Sequence, residues 1–146
     1  MAVDLTPIDK DLLKELTGYS CMPDVAVNIR KDGQLLERHN NANIEIVTKS
    51  DNPGIDIFIK ANSKNERVFI PVIVTKSGLK DVVYNSFHIG EKARVEIIAG
   101  CGIHNDSYEN SQHDGIHEFF LEKGSRVTYI EKHYGEGEGT GERVLN

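Results

Sequence analysis

The chain has 146 residues, a formal net charge of -6 and a pI near 5.5, a size that fits one domain with a single core. The acidic balance excludes an extended nucleic-acid surface, which needs clustered Lys and Arg, and no basic stripe interrupts it. No run approaches the roughly 20 apolar residues that span a bilayer.

The first eleven residues carry Asp4 and Asp9 and lack a basic region followed by an apolar run, so they do not read as a secretory signal. Thr6-Pro7-Ile8-Asp9 predicts a helix start, with Thr6 as cap, Pro7 at the first helical position and Asp9 near the free amides. Ile8, Leu12, Leu13 and Leu16 recur at helical spacing, and Gly18 supplies a left-handed stop. Residues 1–24 are therefore read as an N-terminal helical segment. Cys21 lies where helix gives way to strand; it and Cys101 are the only cysteines, in different contexts, and no bridge is expected. A reducing cytoplasm is the expected location.

After Pro23 the pattern changes to short β-branched runs: 25–29, 44–47, 55–59, 68–74, 82–84, 95–98 and 127–130. Gly, Pro, Asn, Asp or Ser bounds each one, which predicts a mainly β domain over 25–146. Residues 88–98 resemble residues 120–130, a strand, a polar Lys-containing corner and a second strand in each case. The polar segment Asn105 to Asn110 reads as an insertion into a shorter repeat. Such a repeat fits stacked coils of a β-helix, while a cupin-like jelly roll or a β-sandwich gives similar local signals.

One stretch concentrates the chemistry. Gly100 to Glu118 holds Cys101, His104, His113 and His117, three of the chain's six histidines, in what reads as a turn between strands. Cys101-x2-His104 lets one turn present a thiolate and an imidazole together, and His113-x3-His117 supplies a second pair, a set that zinc or ferrous iron accepts. Glu118 joins His113 and His117 as a ligand only if the chain turns there, because on a strand it faces the other way. His113-Asp114-Gly115-Ile116-His117 mimics a helical His-x3-His zinc signature, but Gly115 disfavours a helix. Cys101 as a nucleophile activated by His104 or His113 is a further reading; a small buried hydrophobe is the plain one. Gly135 to Gly141 suggests a phosphate loop, yet Glu136 and Glu138 repel phosphate and no Lys completes the cradle, so a turn is expected.

The segments Ala99-Gly100-Cys101-Gly102-Ile103-His104-Asn105, Gln112-His113-Asp114-Gly115-Ile116-His117-Glu118-Phe119-Phe120 and Tyr129 to Gly137 resemble the SufB/SufD family, more narrowly its short SufD-like members. The resemblance implies a right-handed parallel β-helix after an N-terminal helix. It also implies a non-catalytic scaffold on which iron-sulfur clusters are assembled with a SufC-like ABC ATPase and a SufB/SufD-like paralogue. In that setting Cys101 and His104 become candidate sulfur or cluster contacts, and His113, His117 and Glu118 candidate ligands for iron or zinc. The family's recognised Cys and His, and its ATPase-binding helices, lie in C-terminal segments with no counterpart here, so the chain reads as an N-terminal portion. Self-association through the open end of the coils is expected from its apolar cross-section. The alternative is a cupin-like metal-dependent enzyme using Cys101, His104, His113 and His117, although the usual cupin order of histidines and glutamate is absent.

Overall fold

The computed structural model describes residues 4–146. It is mainly β, with one short helix and two mixed five-stranded sheets. The helix, α1 (Pro7–Thr17), begins where the sequence places it: the Thr6 side chain accepts from Asp9 N–H, Asp9 accepts from Thr6 N–H, and Gly18 closes the helix at φ 85°. Leu12, Leu13 and Leu16 are buried against Val27, Ile29, Phe69 and Ile98, whereas Ile8, at the first turn, stays 36% exposed.

Ten strands follow: β1 (Ala26–Lys31), β2 (Gln34–His39), β3 (Ile44–Thr48), β4 (Gly54–Ile59), β5 (Glu66–Val74), β6 (Lys80–Ile89), β7 (Arg94–His104), β8 (Ser111–Leu121), β9 (Arg126–Glu136) and β10 (Arg143–Leu145). One sheet has the order β2-β1-β5-β7-β9 and the other β10-β8-β6-β4-β3. From β4 onward consecutive strands alternate between the two sheets. Within each sheet the neighbours from β1 to β9, and from β4 to β10, run parallel. Among the described residues antiparallel pairing is confined to β1 with β2 and β3 with β4. Asp32 and Gly33, both at positive φ, form the turn between β1 and β2.

The internal similarity is a register relation. His88 pairs with Phe120, and Val95 with Val127, so each position of the first copy lies beside its equivalent in the second. The step is shorter between β5 and β7, where Val74 pairs with Ile103, than between β6 and β8, where Lys80 pairs with Gln112. The difference falls in the connection at Asn105–Asn110, the segment read from the sequence as an insertion. Asn105, fully buried, organises that turn: its Nδ2 donates to Glu109 O at 2.7 Å, and its Oδ1 accepts from Ser107 N–H and the Ser77 hydroxyl, both at 3.0 Å.

Parallel in-register stacking puts like upon like. The outer-face rings of Phe58, His88 and Phe120 stack at centroid distances of 4.6 and 5.1 Å, and His88 lies 3.4 Å from the Asp56 carboxylate, a structural role. Inside, Phe87 stacks on Phe119 at 4.6 Å. The inner faces bury Ile44, Ile46, Ile57, Ile59, Val68, Ile97 and their neighbours between the sheets. A smaller group of Val72, Val74, Cys101 and Ile103 fills the opposite end of the interior. Among the described residues no helix is long and apolar enough to cross a membrane.

Candidate functional site

The stretch read as a turn is mostly strand. Cys101 and His104 lie in β7, and His113, His117 and Glu118 in β8, with only the segment between them turning. The two-residue alternation of a strand therefore decides which side chains meet.

On β7 the odd positions face inward. Cys101 is 1% exposed and packs with Val72, Val74 and Ile103 between the sheets. His104 faces outward, its Nε2 2.7 Å from Asp106 Oδ2 and its Nδ1 hydrogen-bonded to Glu136. The Cys-x2-His spacing thus separates the pair across the sheet instead of joining it at one point. On β8, His113 and His117 share the inner face, and Glu118, being one residue on, is exposed on the outer face. Glu118 does not join the two histidines.

Replacing the expected partners is an interior set supplied by other strands. Cys101, His113, His117 and Asn85, with the exposed Glu131 and His133 of the edge strand β9, line one small pocket of about 10 Å³, near the minimum that holds a single water. Glu131 Oε1 is the hub of its outer half, accepting from the Tyr129 hydroxyl at 3.2 Å and lying 3.5 Å from His117 Nε2 and 3.6 Å from His133 Nε2. At the other end Arg30 donates through Nε and Nη2 to the Asp81 carboxylate at 3.0 and 2.8 Å, with His113 Nδ1 at 3.3 Å from the same group. A polar seam thus crosses the interior between two apolar clusters.

The surroundings set the protonation states. Burial pushes the Cys101 thiol up, and the carboxylates of Asp81 and Glu131 push it further, so the thiol is held protonated. Burial also lowers His117, more than Glu131 raises it, which keeps the imidazole neutral; its Nδ1 is buried with no hydrogen-bond partner among the described residues. Burial opposes ionisation of Asp81, but the hydrogen bonds and charges of His113 and Arg30 outweigh it and hold the carboxyl far below its ordinary range. A protonated thiol beside a neutral histidine is a poor nucleophile and a poor ligand as it stands. Among the described residues no group of three or more His, Cys, Asp or Glu side chains is arranged as a preformed metal site.

Arg30, Asp81, Asn85, Glu131 and His133 are missing from the set found by motif spacing. Their signal is the repeat: Asp81 pairs with His113, Asn85 with His117, Ala99 with Glu131 and Cys101 with His133, each with its counterpart one repeat further along the chain. Adding the repeat length to each inward position, rather than searching for ligand spacings, recovers all of these but Arg30, which pairs with Val72.

The Gly-rich segment has a structural cause. It lies directly on the preceding turn, where Gly139 N–H donates to Asn105 O at 3.1 Å and Gly141 N–H to Ser107 O at 2.9 Å. A Cβ at Gly139 or Gly141 would fall 2.3 Å or less from the backbone below. Backbone stacking accounts for these glycines, without any phosphate.

Comparison of the chain with family models, with curated proteins and with solved structures finds no match in any of the three.

Proposed function

We propose that the chain forms stacked coils of a right-handed parallel β-helix within a cytoplasmic scaffold of the SufB/SufD type. The scaffold has no turnover of its own. It assembles iron-sulfur clusters together with a SufC-like ABC ATPase and a SufB/SufD-like paralogue or a second copy, and the cluster is cargo, passed on rather than retained. Strands that alternate between two sheets and pair in parallel at a recurring step support the coiled reading.

The observation that carries the functional reading is that Cys101, His113 and His117 line one small pocket together with Glu131 and His133 at the exposed edge. These residues belong to the segments that carry the family resemblance. An ion pair and the imidazoles of His113 and His117 packed between the sheets give little or no stability over an apolar filling of the same volume, which favours a role other than stability for the seam. Assembly with a paralogue or second copy has a physical basis in β9, an 11-residue strand paired on one side only, with Phe120, Leu121 and Ile130 each about half exposed nearby.

The test is co-purification of the native protein from its own cells, followed by iron and sulfide analysis after anaerobic reconstitution. Expected are an ABC-type ATPase in the purified complex, and iron with sulfide in the complex but not in the isolated 146-residue chain. A complex lacking both the ATPase and bound iron would overturn the reading.

A further inference from the structure

A second cavity, far larger than the void at Cys101, opens where β2 and the β3–β4 turn cover the first strands of the two sheets; its volume is about 440 Å³. That lies in the range of small-molecule sites. Arg38 reaches into it from β2 and Asn28 from β1, paired across the two strands and hence on one face.

Hydrogen-bond accounting defines what the cavity lacks. Asn28 Oδ1 accepts from Arg38 Nε at 2.8 Å, the Thr48 hydroxyl accepts from Arg38 Nη2 at 3.0 Å, and Asn85 Oδ1 accepts from Ile55 N–H at 3.3 Å. These acceptor oxygens are committed, whereas the amide NH2 groups of Asn28 and Asn85 and the Thr48 proton are left as donors. Asn28 and Asn85 are 6% and 7% exposed, and both line the cavity. The other two cations of the wall already have carboxylates, Arg30 in Asp81 and Lys49 in Asp56. Arg38 has none within ion-pair distance among the described residues, and burial lowers its pKa from the usual value without depriving it of its charge. The one carboxylate lining the cavity among the described residues is Asp51, exposed at the turn.

We propose that this cavity binds a small molecule bearing an anionic oxygen group, a carboxylate or a phosphate, seated on the Arg38 guanidinium and the amides of Asn28 and Asn85. A guanidinium with an open edge pairs with either group in a bidentate manner, and flanking amide donors complete the oxyanion shell. The cavity shares only Ile70, Val72 and Asn85 with the void at Cys101, so the proposal stands apart from the scaffold reading.

Calorimetric titration of the purified chain with pyrophosphate and with citrate at low salt tests it. Saturable binding of at least one is expected; whichever binds more tightly assigns phosphate or carboxylate chemistry. Arg38→Gln is expected to weaken binding by about tenfold or more. Ser50→Asp, which adds a carboxylate at an exposed lining position without touching the Arg38 hydrogen bonds, should weaken it as well. Arg67→Gln, which removes the same charge from an exposed pair with Glu96, should leave it unchanged. Absence of saturable binding by both anions, or equal affinity in the wild type, Arg38→Gln and Ser50→Asp, would overturn the proposal.

Discussion

Arg30 and Asp81, far apart in the chain, are joined across the interior by two hydrogen bonds of 3.0 and 2.8 Å, with side chains only 18% and 5% exposed. The pair links β1 of one sheet to β6 of the other, and His113 shares the carboxylate. Removing the carboxylate leaves a guanidinium without its counter-charge, so Asp81→Asn should cost about 3 kcal/mol in urea unfolding near pH 7. The folded pKa of Asp81 is depressed, so its stabilising effect is present above the unfolded value, about pH 4, and is lost as pH falls toward the folded one. The gap in stability between wild type and Asp81→Asn should therefore narrow below pH 4. An unchanged gap at pH 3 would mean that the ion pair is not what the substitution removes.

The two thiols differ in accessibility. Cys21 is exposed, whereas Cys101 is buried and its pKa is raised by burial, then by Asp81 and Glu131. An aromatic disulfide reagent at pH 8 should label Cys21 rapidly in the folded protein and Cys101 only when denaturant opens the chain. Mass spectrometry of the labelled peptides reads this directly. Rapid labelling of Cys101 in the native state would show that the interior opens far more often than its packing implies.

On the outer face of β7, His104 behaves in the opposite sense to His117. Burial lowers its pKa, but hydrogen bonds to Glu136 and Asp106, with their charges, raise it by more. A raised histidine stabilises the fold fully below the unfolded value, about pH 6.5, and the effect fades as pH rises through the folded value. His104→Gln should thus lower the melting temperature most at pH 6 and least at pH 9, and the imidazole resonances of His104 should titrate above those of a free histidine. A melting-temperature loss that is the same at both pH values would place the effect in packing rather than charge.

How much of this was legible follows from which side chains face which way. Thr6, Asp9 and Gly18 mark the helix because capping is a local bargain between neighbouring residues. The apolar runs mark β4, β5 and β7 because Ile and Val fill the inner positions of those strands. β8 escapes that test: its inner face bears His113, Gly115 and His117 and its outer face Gln112, Asp114 and Glu118, so no apolar alternation remains and the ligand-like residues suggest a turn. β2 escapes for a different reason, since Arg38 and Glu37 break its pattern, although Asp32-Gly33 is a turn signal of the hairpin kind. The seam was hidden because Cys101 and His133, or Asp81 and His113, meet only through the pairing of one repeat with the next.

Gly100, beside Cys101, separates steric from conformational demands. Its φ is +140°, and a Cβ there would lie 2.0 Å from the carbonyl oxygen of Lys132 on the adjacent strand β9. An alanine must therefore displace a paired backbone, which cannot swing aside as a side chain does, in addition to adopting a disfavoured φ. Gly100→Ala should cost about 3 kcal/mol or more, combining backbone strain with overpacking. At Gly18, φ is +85° but nothing lies within 4 Å of the added Cβ. Gly18→Ala meets only the left-handed penalty, about 1 kcal/mol. Urea unfolding of both variants, compared at equal slope, distinguishes the two causes. Equal losses would show that β9 moves away from β7 at little cost, and the tight stacking of the strands around Cys101 would then not be rigid.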